Sequence, residues 1–334
     1  MQPHLDIAVS EQSQVGEARR AATRLATDHD LDETVTGRIA IIVTELGNNL
    51  WRHAGRGRLL VGCRRDDDGC VFEILSVDTG PGMDDVARCL RDGYSSGGTP
   101  GNGLGAVQRL SSDFSVFSAP GKGTVILSRT RVPRDASAPA PRTRIAHAGV
   151  CVAAPGEIVS GDAWDIRIAD GVAAVIMADG LGHGPVAAEA SDQALKVFAM
   201  ATGSPAAVLE RAHPLMRSTR GAAVTLAELD TRAGTVRYAG AGNISMRLIS
   251  GVEDRTLLAQ HGTLGVQIRK LQDVAQPWPD HAMVVLHSDG LATRWNLKDV
   301  GGLLQCDPAV IAAWILRDHT RGHDDATIVV IKRD

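Results

Sequence analysis

The chain has 334 residues, which at about 150 residues per domain argues for two domains, each long enough to bury its own core. Lys and Arg total 35 against 39 Asp and Glu, a net charge of -4 with no basic half, and aromatic residues make up only 3 %; a nucleic-acid binder working through a cationic face or through stacking platforms is excluded. The five cysteines are odd in number and lack CxxC spacing, which argues against structural disulfides and zinc, and neither a signal-like start nor an apolar run of about 18 residues is present, so a cytoplasmic protein without membrane attachment is expected.

In chain order, apolar periodicity predicts helices over about Ser10 to Thr27 and Asp32 to His53, then strands at Leu59 to Arg64 and Cys70 to Val77 joined by the turn DDDG. A helix after Asp84, a glycine-rich segment, a helix near Leu104 to Leu110 and closing strands Phe114 to Ser118 and Thr124 to Arg131 complete an α+β layer, with helices on one face of a mixed sheet. VPRDASAPAPRTR, with three prolines, reads as a linker. Beyond it come strands at His147 to Ala154 and Val172 to Ala178, a helix from Pro185 to Met200 with proline in its first turn, and strands at Ala223 to Leu229, Thr235 to Tyr238 and Ser245 to Ile249. Val284 to His287 and Thr327 to Ile331 read as buried strands, and Pro308 to His319 as a late helix.

Glycine is in excess, at 36 residues, and it gathers around two chemical constellations. In VTELGNNLWRHAG, Glu45 and Asn49 stand four apart on a predicted helix and project from one face, where they could share a metal and a water. A predicted strand runs into DTGPGM, placing Asp78 at its end, where a carboxylate can accept from an exocyclic amine while Gly80 and Gly82 let the backbone approach a planar base. Gly101, Gly103 and Gly105, with Leu104 between the last two, lead into a helix whose amide N–H groups suit phosphates. GKGT follows, with Lys122, Gly123 and Thr124 opening the last strand. The P-loop pattern GxxxxGK[ST] is absent.

These motifs occur in the order of the Bergerat-fold (GHKL) ATPases, and Leu5 to Arg131 resembles the RsbT-type switch kinases, most of all in TELGNN, DGYSSGG, GLGAVQRL and GKGT. The resemblance implies ATP with Mg²⁺ held by Asn49, adenine read by Asp78, a phosphate lid formed by Gly101, Gly103 and Gly105, and Glu45 orienting or deprotonating the attacking hydroxyl. A serine hydroxyl is a poor nucleophile, so a carboxylate base and a charge-neutralising metal are what such a transfer requires.

The second half repeats acidic residues beside glycine or beside apolar strands: SGD at Asp162, ADG at Asp179, SDG at Asp289 and GHDDAT at Asp324 and Asp325. Carboxylates converging from strand ends repel one another unless cations neutralise them, which points to a two-cation oxygen site. The order, together with ADGLGHGPVAAEAS, the GAGN turn at Gly240 to Asn243 and HGTLGV, resembles the PPM-type phosphatases of the SpoIIE and RsbX group over about Ala148 to Lys332. That resemblance implies two Mn²⁺ or Mg²⁺ ions, with Asp179 bridging, the Gly180 carbonyl assisting, Asp289 and Asp324 on one ion and Asp162 supporting the other. Two such ions about 3.5 to 4 Å apart acidify a bridging water that attacks phosphorus directly. Eukaryotic members carry an arginine upstream of the first aspartate, and APGEIVSGD has none, which leaves phosphate binding unassigned. His183 is read as lying behind the metal loop or on the surface.

The expected fold class is α+β: a Bergerat-fold α/β sandwich ATPase and kinase-like domain at 1–132, a linker at 133–144 and a PPM-type αββα sandwich at 145–334. The expected function is a bifunctional serine/threonine kinase and metal-dependent phosphatase acting on STAS-domain regulators in partner switching. The alternative is an ATP-dependent module that sequesters a sigma factor or an output enzyme, fused to a phosphatase as the only catalytic domain. The small ATPases that the first domain resembles commonly dimerise, so a homodimer is carried as an open expectation.

Overall fold

The computed structural model describes residues 3–66, 69–91, 103–134 and 145–333. The chain divides into two compact units, each treated separately below: an N-terminal unit of Gln2–Ala140 with Asp299–Arg317, and a C-terminal unit of Pro141–Lys298 with Asp318–Asp334. The expected linker lies almost wholly in 135–144, outside the described residues.

The first unit opens with strand β1 (Leu5–Val9), which the sequence pattern did not reveal, followed by helix α1 (Gln12–Asp28) and helix α2 (Glu33–Asn49). Each helix buries one stripe, Val15, Ala18, Ala22 and Ala26 on α1 and Ile39, Ile42, Val43 and Leu46 on α2, the three-and-four spacing of an amphipathic helix. Asp32 caps α2 by accepting the Val35 N–H at 2.9 Å. The single helix expected to His53 in fact changes at Asn49 into a π-helical turn, Leu50–Ala54, closed by Gly55 at φ 77°.

Next come strands β2 (Gly57–Asp66) and β3 (Gly69–Asp78), the short helix α3 (Val86–Cys89), helix α4 (Gly103–Leu110), and strands β4 (Asp113–Ala119) and β5 (Gly123–Pro133). The sheet order is β1-β2-β3-β5-β4, and every pair is antiparallel. The expected mixed sheet is therefore corrected: hairpins join β2 to β3 and β4 to β5, and the remaining neighbours also run opposite ways. Val9, Leu59, Val61, Phe72, Ile74 and Ile126 on the sheet meet the buried stripes of α1 and α2 in one core.

In the second unit, strands β6 (Ile145–Val152), β7 (Asp162–Ala169) and β8 (Val172–Gly180) precede helices α5 (Pro185–Met200) and α6 (Pro205–Leu215). Strands β9 (Ala222–Asp230), β10 (Thr235–Ala241), β11 (Ser245–Ile249), β12 (Asp254–Leu257), β13 (Gly262–Thr263), β14 (Gln267–Ile268), β15 (Val274–Pro277) and β16 (Met283–His287) follow. Helix α7 (Pro308–His319) and strand β17 (Ala326–Arg333) close the chain. Two five-stranded sheets result, β15-β10-β9-β8-β7 and β12-β11-β16-β17-β6, both antiparallel.

The apolar run of β8 is explained by its place between two cores. Ala173, Val175 and Met177 enter the core between the sheets, whereas Ile176 and Ala178 join Ala190, Ala194, Phe198 and Leu209 of α5 and α6 in the core on the sheet's other side. A strand buried on both faces loses polar alternation.

The segment Asp299–Arg317, with most of α7, belongs to the N-terminal unit, a departure from an unbroken 145–334 domain. Arg129 of β5, itself buried, binds Asp307 through both terminal nitrogens (2.8 and 3.0 Å) and Glu73 of β3 through Nε (2.6 Å). Phe117 meets Trp314 edge-on at 4.8 Å between centroids.

Candidate functional site

In the N-terminal unit the expected residues stand on the end of α2, the end of β3 and the start of α4. Glu45 and Asn49 are half-buried on α2, and the π turn that begins right after Asn49 is a distortion that recurs at functional sites. A β-carbon on Gly103 would lie 2.6 Å from Glu45 Oε2, so the first turn of α4 rests directly against that carboxylate. Leu104 packs against the core and Gly105 is buried. Gly101 lies outside the described residues.

Asp78 is the last residue of β3, and its Oδ1 accepts the N–H groups of Gly80 (2.8 Å) and Thr124 (3.2 Å). Thr124 thus serves through its backbone, while its hydroxyl meets Ser118 Oγ at 2.9 Å. Burial pushes the Asp78 carboxyl above its ordinary range, partly offset by those two amides and by the Arg317 charge. Arg317 Nη1 donates to the Asp78 backbone carbonyl at 2.7 Å.

The neighbouring glycines are fixed by close approach. A β-carbon on Gly80 would sit 2.7 Å from Ala54 Cα; on Gly82, at φ +73°, 2.2 Å from the Ala119 carbonyl; and on Gly123, at φ +87°, 2.2 Å from the Asp78 carbonyl. They allow the loop after β3 and the β4–β5 turn to lie on one another around Asp78, tied by Gly121 N–H to Pro81 O at 2.7 Å. Lys122 Nζ donates to the Asp299 carbonyl at 2.9 Å.

In the C-terminal unit, β-sheet register decides which aspartates meet. Asp162 opens β7 and Asp179 lies near the end of β8, and the two are direct cross-strand partners; Gly180 N–H closes the pair on Gly161 O at 3.1 Å. On the second sheet, Ser288 N–H donates to Thr327 O and Thr327 N–H to Ser288 Oγ, both at 3.0 Å, holding the residues that follow β16 beside those that precede β17. Asp289 and Asp324 therefore lie at the same sheet end.

The charges of Asp162, Asp289, Asp324 and Asp325 all act on Asp179. Burial first, then this repulsion, raises Asp179 and Asp162 well above the usual carboxylate range, and Asp289 is raised by burial and Asp324. Among the described residues the single atom Asp162 Oδ2 is buried with no hydrogen-bond partner, as is Thr327 Oγ1. Among the described residues no three carboxylate, His or Cys side chains are drawn into a ready-made cage. An all-oxygen donor set, mutually repelling and with an orphaned buried oxygen, nevertheless suits hard divalent cations, whose charge would remove both the repulsion and the orphan.

Sequence reasoning missed the residues behind these carboxylates. Asp325 is buried and spends both oxygens on backbone, accepting Ala154 N–H and Gly161 N–H at 2.8 Å each, so it fixes the loop that delivers Asp162. Asn243, last residue of the GAGN turn, donates to Asp289 Oδ2 at 2.7 Å. His287 is fully buried, and burial holds its pKa down at about 4. Its Nδ1 faces Ser288 O at 2.9 Å and its Nε2 faces Trp295 Nε1 at 3.4 Å, the pattern of a neutral ring donating through Nδ1. The acid pair in GHDDAT and the asparagine in GAGN were legible as motifs, but no local signal separates a ligand from the residue that orients it. His183 is exposed on the loop after β8, with Nδ1 2.8 Å from Glu157 Oε1.

Comparison with known proteins finds relatives of both parts of the chain. The family described as histidine kinase-like ATPase domain matches residues 8–129, and Stage II sporulation protein E (SpoIIE) matches 169–334. The serine/threonine-protein kinase RsbT of Bacillus subtilis (strain 168) is 32% identical over 109 residues, spanning 33% of this chain and 82% of RsbT. A chain from the structure described as the bacterial stressosome, a modular system adapted to control secondary messenger signaling, is 27% identical at a TM-score of 0.51, covering 56% of this chain and 99% of that one. The RsbX structure in complex with magnesium is 20% identical at a TM-score of 0.46, covering 57% and 96%. No described helix is long and apolar enough to cross a membrane.

Proposed function

Because the chain belongs to the RsbT-type GHKL kinases through its first part and joins to them a SpoIIE-type PPM phosphatase, making it an enzyme of the protein-serine/threonine phosphatase class with a kinase domain, we propose that it both adds and removes phosphate on a serine or threonine of a STAS-domain partner. The observation that carries this reading is the buried, partnerless Asp162 Oδ2 within a self-repelling set of strand-end aspartates, on the same chain as the Glu45 carboxylate set against the first turn of α4.

In the phosphatase, Asp162, Asp179, the Gly180 carbonyl, Asp289 and Asp324 would hold two Mn²⁺ or Mg²⁺ ions, while Asp325 and Asn243 fix the ligand loops. When bound, the ions neutralise the carboxylates and supply an acidified water for hydrolysis. In the kinase, Asp78, its Oδ1 held by two backbone amides, presents a carboxylate to the adenine amine of ATP. Asn49 would hold Mg²⁺, and the N–H groups at the start of α4 would face the phosphates. Glu45, beside that helix start, would orient the substrate hydroxyl and accept its proton, a role worth about 10² to 10⁴ in rate.

Incubating the full chain with ATP, Mg²⁺ and a STAS-domain protein should label that protein, and Asp179→Ala should raise the yield by disabling removal. Glu45→Ala should abolish labelling and leave ATP binding within about twofold, since the carboxylate acts on the hydroxyl and not on the nucleotide. Absence of transfer to any STAS-domain protein, with ATP bound, would overturn the kinase half.

A further inference from the structure

The phosphatase reading leaves open which residue grips the substrate phosphate, because no arginine precedes Asp162 in APGEIVSGD. We propose that Arg220 does so; the assignment rests on that reading and extends it. Its placement follows from the β8–β9 ladder, in which Asp179 pairs with Ala223 and Gly180 with Ala222. Leu181 N–H then donates to Gly221 O at 3.0 Å, carrying the alignment one residue further, and the next residues to face each other are Gly182 and Arg220. Arg220 Nη1 lies 3.3 Å from the position a β-carbon on Gly182 would take, and Gly182 has φ +89°. Glycine at 182 therefore leaves the guanidinium open access to the loop that begins at Asp179 and Gly180.

The backbone beneath Arg220 is held in place. Thr219 Oγ1 donates to Met216 O at 2.7 Å and accepts Gly221 N–H at 3.1 Å, and Ala222 exchanges hydrogen bonds with Leu264. The side chain is exposed and makes no hydrogen bond or ion pair among the described residues. His183 on this loop is engaged with Glu157 of the loop between β6 and β7. A free guanidinium thus stands beside Gly182, three residues along the loop from Asp179 of the acidic cluster. A phosphomonoester dianion approaching that cluster needs cationic partners on its outer oxygens, and a planar guanidinium can bind two of them at once. Arg321, whose charge acts on Asp289, is the competing candidate and the natural comparison.

The test is calorimetric titration of the full chain, first with Mn²⁺ and then with inorganic phosphate. Arg220→Ala should weaken phosphate about tenfold or more, the scale of a lost charge-assisted hydrogen bond, with Mn²⁺ affinity within about twofold. Arg220→Lys should recover part of the loss. On a phosphoserine peptide, Arg220→Ala should raise KM more than it lowers kcat. Phosphate affinity unchanged in Arg220→Ala, or a tenfold loss confined to Arg321→Ala, overturns the assignment. Failure of the wild type to bind Mn²⁺ overturns the phosphatase reading and is seen before phosphate is added; a wild type that then binds no phosphate overturns Arg220 as well.

Discussion

The two units place their acidic groups by different means. In the C-terminal unit, Asp162 and Asp179 are fixed by a cross-strand register and Asp289 and Asp324 by two adjoining strand ends, so a hydrogen-bonded ladder sets the spacing of charges that repel one another. In the N-terminal unit, Glu45 and Asn49 are spaced by one helical turn, and Asp78 sits where glycines let two loops close around it. Asp78 has two amide donors; Asp162 has an oxygen with none among the described residues. Backbone amides partly offset the burial of the carboxylate in the first site, whereas mutual repulsion adds to burial in the second, a donor set that suits cations.

The largest expected effect breaks that contrast. Asp179→Ala should reduce phosphatase turnover by more than the roughly 10- to 100-fold typical of losing a group behind a metal ligand, while the metal-free variant melts at or above the metal-free wild type because one buried, repelled carboxylate is gone. Mn²⁺ at a hundred times its dissociation constant should stabilise the wild type by about 2.7 kcal/mol and the variant much less. A melting temperature that falls in the metal-free variant would show that the aspartates do not strain the fold.

Asp325→Asn sharpens the distinction between ligand and support. An amide nitrogen cannot accept the Ala154 or Gly161 N–H, so the variant should lose about 1 to 3 kcal/mol of stability, the cost of a buried unsatisfied group, measured by urea denaturation. Phosphatase activity should fall by about 10- to 100-fold.

The smallest effect belongs to the other unit and runs through pH. Burial alone would raise the Glu73 carboxyl, but Arg129 and His4 outweigh it and hold the pKa at about 2, below its ordinary 4.5. A depressed carboxylate stabilises the fold above the unfolded value, and that stability is lost as pH falls from about 4.5 towards 2. The urea midpoint of the N-terminal unit should fall across this window, and Glu73→Gln should flatten the fall while lowering the midpoint at pH 7. An equally steep acid loss in the variant would assign it to other carboxylates.

How far all this was legible in the sequence depended on whether the information was local. Helices from Pro185 to Met200 and Pro308 to His319, and strand Ser245 to Ile249, have the predicted ends, since periodicity and proline mark them within a few residues. Strand β1 was missed because five residues ahead of a long helix carry too little pattern, and their identity as a strand depends on pairing with β2. The mixed sheet was a wrong inference for the same reason: strand direction is a property of partners. Aspartates at strand ends could be found as motifs, but the roles of Asp325, Asn243 and His287 depend on what lies opposite them.

By itself, then, the amino-acid sequence determined the two motif sets, their order and the lack of a basic half or of an apolar run of about 18 residues, because these follow from residue type and short-range spacing. Only the tertiary structure decided that Asp162 faces Asp179, that both oxygens of Asp325 are consumed by backbone, that Asp299–Arg317 packs with the N-terminal unit, and that Arg220 stands across from Gly182. Each of these joins residues distant in sequence through ladder register or burial, and no local rule carries that information.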